Sequence, residues 1–454
     1  MNYIPSMTDK ISFGGELKAT WLLALPMILG QIGQMLIGIT DAAFIGRIGT
    51  VELAAAAFTN GVYGLSYVVG LGLLSPVGIL TARDHGADDQ PGCAAWLIHG
   101  RLLALSYALL ALVFLGFALL SIRHFSLPDD VVAAIPAFFI LHCLSLIPAT
   151  QFQAQRQYLD AMGQPWVGSV IIYVNVAFNA LLNWVFIWGH WGSPALGLAG
   201  SGVATLIARS VSVVLISLWL RREKRESVPW QSARMRELVQ LGVPSASSLF
   251  FESGIIIAAM IMLGWLGAVP LAAHQIALTC ASFSFMFPLG IAMATGIRIS
   301  RARGEMMNQQ PNHRLRVIGL GAIAGGGLIM ILFALSFALA GKHIAAAFTP
   351  EIAVIDVTAQ LLFVAAFFQL FDGIQVIALG ALRGLTDVRV PTLITFFAYW
   401  LIGLPSAYLL GFKFHIGATG VWSGLAIGLG LAAILLLWRF FALTPKPIEQ
   451  HQVN

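Results

Sequence analysis

The sequence predicts an all-α polytopic membrane protein with twelve transmembrane helices in two pseudo-symmetric six-helix bundles. Of its 454 residues, 58% are hydrophobic and 10% are charged, whereas a soluble domain carries roughly 25% charged residues. Its apolar runs are long enough to cross a bilayer, which takes about 20 residues, and they lack the alternating polarity of membrane β-strands. The runs lie at about 17–45, 54–80, 95–120, 131–150, 166–189, 196–220, 239–268, 271–297, 315–341, 352–380, 390–411 and 419–443.

The two halves of the chain are related to each other in sequence. One constant shift without gaps, which we call the main shift, places Pro26 on Pro244 and Gly72 on Gly290. A slightly larger shift, the late shift, relates GLAG at 197–200 to GATG at 417–420. We therefore predict an N-terminal bundle at 1–222, a cytoplasmic linker at 223–237 and a C-terminal bundle at 238–454. Six spans per half insert both halves the same way up, and in such proteins the substrate site lies between the repeats.

The basic residues are distributed unevenly along the predicted topology. The chain has 25 Lys and Arg residues. Loops on one side hold twenty of them, including Arg156 and Arg383, and Arg209 lies inside the sixth run. Loops on the other side hold only Arg47, Arg123, Lys342 and Lys413. The positive-inside rule therefore predicts that both termini are cytoplasmic. Insertion explains the basic charge, so nucleic acid is not an expected partner.

Three acidic residues lie within apolar runs. Glu252 interrupts the run LGVPSASSLFFESGIIIAAMIMLGWLGAV, while Asp41 and Asp372 interrupt two others. An ionised side chain inside a membrane costs several kcal/mol, so such residues usually serve function. Glu252 and Asp372 could instead make helix-packing hydrogen bonds, and Asp41 could be a solvated acid near the periplasmic end of its helix.

Polar side chains also recur within the apolar runs. Asn175, Asn179 and Asn183 are spaced every four residues, which places them on one helix face. They could form a polar wall facing Asp41, or they could join helices through amide hydrogen bonds. Further amides that could line a site are Gln31, Gln34 and Gln275.

Arg209 is the one cation predicted to lie near the middle of a span. It could extend to the interface, but an ion-pair partner or an aqueous cavity accounts better for its position. With three intramembrane acids against this one arginine, the interior is expected to be negative and to bind organic cations. Aromatic residues that could stack on such cations are Tyr63, Tyr67, Phe285 and Phe287.

Enzymatic activity is not predicted. The chain has no zinc-ligand motif, P-loop, GxSxG or dinucleotide-binding loop, and it has no nucleotide domain that would drive transport with ATP. Its three cysteines lie far apart in apolar surroundings, so neither a disulfide framework nor a metal site is expected from them. A membrane-embedded acyltransferase would need a reactive cluster, but the adjacent His142 and Cys143 do not face each other on a helix.

Six long segments of the chain resemble the multidrug and toxic compound extrusion (MATE) family, most closely its NorM-like branch. They are TDAAFIG at 40–46, LFFE at 249–252, AAHQIAL at 272–278, FMFPLGIAMATGIRI at 285–299, FDGIQVIALGALRG at 371–384 and YWLIGLPSAYLLG at 399–411. The resemblance implies a V-shaped pair of six-helix bundles in the bacterial cytoplasmic (inner) membrane. It also implies antiport, in which organic cations and amphiphiles are exported in exchange for inward H⁺ or Na⁺.

The resemblance also implies roles for individual residues. Asp41 would be a key carboxylate of the first bundle, with Asn179 and Asn183 near it. Glu252 and Asp372 would form the cation site of the second bundle, and would ligate the metal if the ion is Na⁺. No other cofactor is expected, and the partners would be small-molecule substrates and membrane lipid, with the protein a monomer.

One departure from the family pattern bears on the coupling ion. Sodium-dependent NorM-like members tend to have a tyrosine one turn before the acid of the tenth helix, where this chain has Phe368. The missing hydroxyl favours H⁺ over Na⁺. A lipid-linked saccharide flippase of the same exporter group is the alternative function, and it would be expected to have more cationic residues lining its cavity than Arg209 alone.

Overall fold

The computed structural model describes residues 13–125, 127–222, 229–305 and 312–444. Within these ranges, twelve helical segments are long and apolar enough to cross a membrane, which confirms the predicted fold class. The α-helices are α1 (Phe13–Ile45), α2 (Thr50–Gly86), α3 (Gln90–Leu120), α4 (Asp129–Leu144), α5 (Leu146–Ala161), α6 (Pro165–Trp188), α7 (Leu198–Leu220), α8 (Ser232–Leu266), α9 (Ala268–Glu305), α10 (Asn312–Ala346), α11 (Ile352–Gly384), α12 (Arg389–Phe396), α13 (Leu404–Tyr408) and α14 (Ala418–Leu443).

Two spans consist of more than one helical segment. Helices α4 and α5 together form the fourth span, Asp129–Ala161. The eleventh span, Arg389–Lys413, combines α12 and α13 with two π-helical segments, Phe397–Gly403 and Leu409–Lys413. Because π-helical turns are rare and often occur at functional sites, this span is of particular interest.

The repeat seen in the sequence is also present in the local structure. The main shift relates the first residues of α2 and α9, and the late shift relates the first residues of α7 and α14. The residues that cap α7 and α14, Gly197 and Gly417, both have positive φ angles, of 54° and 71°, a conformation that glycine adopts without steric cost. Their backbone N–H groups bond to Ile187 at 3.2 Å and Gly411 at 3.1 Å. The turn that leads into α7 in the first half therefore has an equivalent in the second half, where it leads into α14.

The helices form two compact units. The N-terminal unit comprises residues 29–85 and 89–250, and the C-terminal unit comprises 86–88 and 251–454 together with residues 1–28. The dividing points therefore lie inside α1 and α8 rather than between helices. Of the predicted linker at 223–237, residues 223–228 lie outside the described ranges and residues 232–237 form the first turns of α8.

Ion pairs hold the beginning of α8 within the N-terminal unit. Arg234 pairs with Asp84 at 3.2 Å and lies 4.7 Å from the centre of the Trp96 ring. Arg83 pairs with Glu237 at 2.9 Å. These contacts join α8 to α2 and α3.

The C-terminal unit holds the beginning of α1 in a corresponding way. Glu16 pairs with Arg298 of α9 and, at 2.8 Å, with Arg314 of α10. Arg314 also pairs with Glu305 at 2.7 Å. The main shift relates Glu16 to Arg234, so equivalent positions of the repeat anchor their helices with opposite charges.

Candidate functional site

Asp41 is the centre of a buried polar group in the N-terminal unit. Its side chain, on α1, is 7% exposed. It accepts hydrogen bonds from Asn183 Nδ2 at 2.7 Å and from Thr205 Oγ1 at 3.4 Å. Asn183 also donates to Asn179 Oδ1 at 3.0 Å. The expected contact between the asparagine stripe and Asp41 is therefore confirmed, and Asp41 is not a solvated interfacial acid.

The same stripe also joins α6 to α7. Asn179 Nδ2 donates to Thr205 Oγ1 at 3.4 Å, and Asn175 Nδ2 donates to Ser212 Oγ at 2.6 Å. The asparagine amides therefore also join helices, which was the alternative interpretation of the stripe, while Asn183 binds Asp41. Thr205 was not singled out from the sequence, although its spacing of four residues from Arg209 places both on one face of α7.

Arg209 lines a small polar cavity inside the N-terminal unit, as its position in the sequence suggested. The cavity measures about 30 Å³. The polar residues that line it are Gln34, Tyr67, Asn175, Arg209 and Ser212. Arg209 Nη1 donates to Ser145 Oγ at 2.6 Å and to the Tyr63 hydroxyl. The Tyr63 ring lies 4.9 Å from the guanidinium carbon, so this ring already has a cation beside it.

Arg156 was expected in a loop, but it lies in a helix. It lies in α5 with its side chain 1% exposed. It forms an ion pair with Asp160, one turn later on the same helix, in which Arg156 Nε and Asp160 Oδ2 are 3.8 Å apart. Its Nη1 donates to Gln31 at 3.5 Å. The absence of a side chain at Gly168 leaves space for it, because a Cβ there would approach Arg156 Cγ to 2.8 Å. The span predicted to end near residue 150 continues as helix to Ala161, which places this ion pair inside it.

Glu252 and Asp372 are brought into one region of the C-terminal unit. Glu252 lies on α8 and Asp372 on α11, and both side chains are partly buried. The two carboxylates are close enough to interact electrostatically. The predicted pairing of these acids is therefore present in the fold, on two different helices.

Tyr399 and Gln375 adjoin this acid pair and were not identified from the sequence. Tyr399 lies in the first π-helical segment, is 1% exposed and packs in a cluster with Ile255, one turn from Glu252. Its hydroxyl lies beside Gln375 and within electrostatic range of both carboxylates, but no described group completes a hydrogen bond of normal geometry with it. Gln375, on the helix that carries Asp372, is fully buried with its amide oxygen and nitrogen both unpaired in the described chain.

The middle of the eleventh span is fixed beside Glu252 by a neighbouring contact. Trp400 Nε1 donates to the backbone oxygen of Phe251 at 3.2 Å. Gly254 makes room for the same indole, since a Cβ there would lie 2.8 Å from Trp400 Cζ2. Tyr399 is consequently held at the level of the acid pair and is not free to turn toward lipid.

Other candidate residues make no described polar contact with the acids. Phe368 packs against Trp422 with ring centres 5.6 Å apart, and Trp422 donates to His274 Nδ1 at 3.1 Å. The side chain of Gln275 is exposed and has no described polar contact with the acids. Phe287 packs on Phe333 at 5.1 Å, in a phenylalanine cluster.

The charge balance inside the spans is less negative than the sequence indicated. Asp160 adds a fourth acid to Asp41, Glu252 and Asp372, but Arg156 and Arg383 join Arg209 within the helices. Arg383, expected in a loop, lies in the last turn of α11 within electrostatic range of Glu252. With these residues the count of three acids against one arginine becomes four against three, so the net charge is still negative but smaller than the sequence indicated.

The acid pair is not accompanied by further acidic, His or Cys ligands in the described chain. Within the described residues, no group of three or more His, Cys, Asp and Glu side chains is arranged to hold a metal ion. Ca²⁺ takes six to eight oxygen ligands, several of them carboxylates. Beside the two carboxylates, the Tyr399 hydroxyl and the Gln375 amide are further polar groups in the same region.

A family model described as MatE matches residues 26–185 and 244–409, two segments whose first residues are related by the main shift. The chain belongs to the MatE family. Similar proteins include the probable multidrug resistance protein NorM of Mesorhizobium japonicum, at 34% identity over 94% of this chain and 93% of that protein. The multidrug resistance protein MdtK of Yersinia pestis is 32% identical over 95% of this chain and 96% of that protein.

Solved MATE structures share the fold. The eukaryotic transporter AtDTX14 has a TM-score of 0.85 at 18% identity, covering 96% of this chain and 97% of that one. The Vibrio cholerae transporter VcmN in its bent form has a TM-score of 0.84 at 20% identity, covering 95% and 98%. Twelve apolar helices and bacterial NorM relatives make this MatE protein a multi-pass protein of the inner membrane.

Proposed function

We propose that this MatE-family protein is a secondary active antiporter that exports organic cations and amphiphiles in exchange for an inward coupling ion. The family assignment and the relatives named as multidrug resistance proteins support efflux. The observation that carries the coupling mechanism is the pair of Glu252 and Asp372 on two different helices, with the Tyr399 hydroxyl and the Gln375 amide beside it. Buried acids of this kind serve ion pathways in membrane proteins.

The coupling ion that this arrangement favours is Na⁺. The sequence favoured H⁺ because Phe368 lacks a hydroxyl, but Tyr399 offers a hydroxyl to the same acids and Gln375 offers an amide oxygen. Bound Na⁺ would supply one positive charge to the acid pair, and Arg383 lies within electrostatic range of Glu252. Tyr399 and Gln375 would bind it as neutral ligands, and the apolar surroundings of Ile255 would keep water from the site. Proton coupling is the second candidate, since it needs only the carboxylates.

Antiport requires that the ion and the substrate each weaken the other's binding, and this coupling is reciprocal. A carboxylate that either species can neutralise provides it. We assign substrate binding to Asp41, held by Asn183 and Thr205, and ion binding to Glu252 and Asp372. Both sets lie in the membrane-spanning helices, so occupation of either can change the free energy of the inward and outward states.

The test is transport by the purified protein in liposomes, with Na⁺ and H⁺ gradients imposed separately. We expect a fluorescent organic cation to be expelled when Na⁺ enters at equal pH on both sides. Efflux driven by a pH gradient in sodium-free buffer, with no response to Na⁺, would refute sodium coupling and leave the proton version. Absence of efflux under both gradients would refute the antiport proposal.

The remaining expectations accompany this function. We propose that both termini are cytoplasmic, that the protein works as a monomer and that it catalyses no reaction. Lipid-linked saccharide flipping is the alternative, and the greater number of intramembrane arginines, Arg156, Arg209 and Arg383, is the observation that favours it. A flippase assay with a fluorescent polyprenyl-phosphate saccharide in the same liposomes separates the two functions.

A further inference from the structure

Arg209 is a partly buried cation without a carboxylate in contact. Its described polar partners are the hydroxyls of Tyr63 and Ser145, and both bind the same nitrogen, Nη1. None of the ion pairs of the described chain includes it. An uncompensated charge inside a membrane span costs several kcal/mol unless an aqueous cavity or a ligand compensates it. Asp41 acts on Arg209 only at a distance, so the guanidinium remains open to an anion that binds in direct contact.

The cavity beside Arg209 has the composition of an anion site. Its polar lining consists of hydroxyl, amide and guanidinium groups, and no acidic residue lines it. Tyr67 lies within electrostatic range of both Arg209 and Arg156, so two positive charges act on the same space. Guanidinium groups bind carboxylates through strong charge-assisted hydrogen bonds. The volume of about 30 Å³ admits a group of roughly two or three non-hydrogen atoms, whereas whole drug-sized ligands need about 300 Å³ or more.

Asp41, which is bound at the far end of the asparagine stripe, lies close to this cavity. Thr205, which donates to Asp41, precedes Arg209 by four residues on α7. Four residues of α-helix rise about 6 Å. On α6, Asn179 and Asn175 continue the polar face over the same distance, with Asn175 lining the cavity. The N-terminal unit thus presents a carboxylate and a guanidinium about one helical turn apart along one polar face.

We propose that Arg209 is a specificity-determining residue that binds the carboxylate of substrates which also carry a basic group. The basic group binds at Asp41, and the carboxylate enters the cavity and bonds to Arg209, with Gln34 and Tyr67 as further donors. Asn183 and Thr205 keep Asp41 oriented toward the basic group. This inference rests on the proposed efflux function, and it assigns the recognition of a substrate carboxylate to one residue of α7.

The test compares two dyes that differ only in the proposed contact. A rhodamine with a free carboxylate is a zwitterion, and its methyl ester is a cation of nearly the same shape. Binding is measured by fluorescence anisotropy on the detergent-purified protein, and efflux is measured in liposomes. We expect wild type to bind both dyes. Arg209→Gln should weaken binding of the acid by roughly tenfold, as expected for the loss of a hydrogen bond between charged groups, and leave the ester within about twofold.

Two further variants separate charge recognition from a structural role. Arg209→Lys keeps the charge and should recover much of the acid's affinity. Ser145→Ala removes a partner of Arg209 but keeps the guanidinium, so the ratio of the two affinities should stay close to that of wild type. Equal loss of acid and ester in Arg209→Gln would overturn the inference, as would failure of wild type to bind the acid. Selective loss of acid binding without efflux of either dye would support the site and refute the proposed function.

Discussion

Replacing Tyr399 by phenylalanine is expected to have opposite effects on stability with and without Na⁺. The Tyr399 hydroxyl is buried and makes no hydrogen bond of normal geometry to the described residues. Leaving a hydroxyl buried and unpaired costs about 1–3 kcal/mol. Tyr399→Phe keeps the ring in its packing with Ile255 and removes only this oxygen. In sodium-free solution we therefore expect the variant to be more stable than wild type by about 1 kcal/mol, the lower end of this cost, because the Gln375 amide lies beside the hydroxyl.

Sodium should reverse this order. A ligand at 100 times its Kd stabilises a protein by about 2.7 kcal/mol. If loss of the Tyr399 hydroxyl weakens Na⁺ binding tenfold, the same sodium concentration stabilises the variant by only about 1.4 kcal/mol. A 100-fold loss would leave about 0.4 kcal/mol. The stabilisation by Na⁺ is thus expected to fall by about half or more.

The measurement is thermal denaturation of the detergent-purified protein in NaCl and in choline chloride, at equal ionic strength and pH. Tyr408→Phe is the matched control, because Tyr408 lies in the same span with its side chain 46% exposed. It should leave the response to Na⁺ unchanged. Destabilisation of Tyr399→Phe by the same amount in both salts would refute the reasoning, because the hydroxyl would then be a structural group. If Na⁺ fails to stabilise wild type, the proposal of a sodium site is refuted.

Three further variants test the site and its support. Glu252→Gln should abolish ion-driven efflux, since the ion loses a charged ligand, while leaving the thermal midpoint in choline unchanged or higher. Asp41→Asn should weaken binding of a cationic dye by roughly tenfold, the loss expected of a hydrogen bond to a charged group, and equal binding would refute its assignment. Gly168→Ala should destabilise the N-terminal unit by about 1–3 kcal/mol, because its Cβ would approach Arg156 Cγ to 2.8 Å; Gly116→Ala, with nothing within 4 Å, is the control in the same denaturation assay.

The spans and the repeat could be predicted from sequence because both leave periodic, additive signals. Hydrophobic runs must be long enough to cross a bilayer, and an internal shift aligns glycines such as Gly197 and Gly417 that the backbone requires. The stripe from Asn175 to Asn183 could likewise be placed on one face from spacing alone. Its contact with Asp41, 142 residues away in sequence, followed only from the expectation that buried polar groups seek partners.

What the sequence concealed depends on tertiary contacts between residues of ordinary types. Tyr399 stands in an apolar span where an aromatic residue carries no polar signal, and its importance comes from the π-helical segment and the acids beside it. Gln375 lies in the run that supplied Asp372, but one amide in a span usually only joins helices. Hydropathy alone places Arg156 in a loop, because the apolar run before it ends near residue 150. The small residue that accommodates its side chain, Gly168, lies on the next helix.

The distribution of charge explains why both polar groups suit exchange. A membrane carboxylate with its own fixed counter-ion would already be neutralised, and neither substrate nor ion would gain much by binding to it. Asp41 has only neutral donors in contact, Asn183 and Thr205, and Arg209 acts on it without touching it. Arg383 likewise acts electrostatically on Glu252 without a described contact. In each unit an arginine lowers the cost of an empty acid but leaves its oxygens open to an incoming cation. The acids that we propose to bind the exchanged cations therefore differ from Asp160, whose arginine lies on the same helix within ion-pair distance.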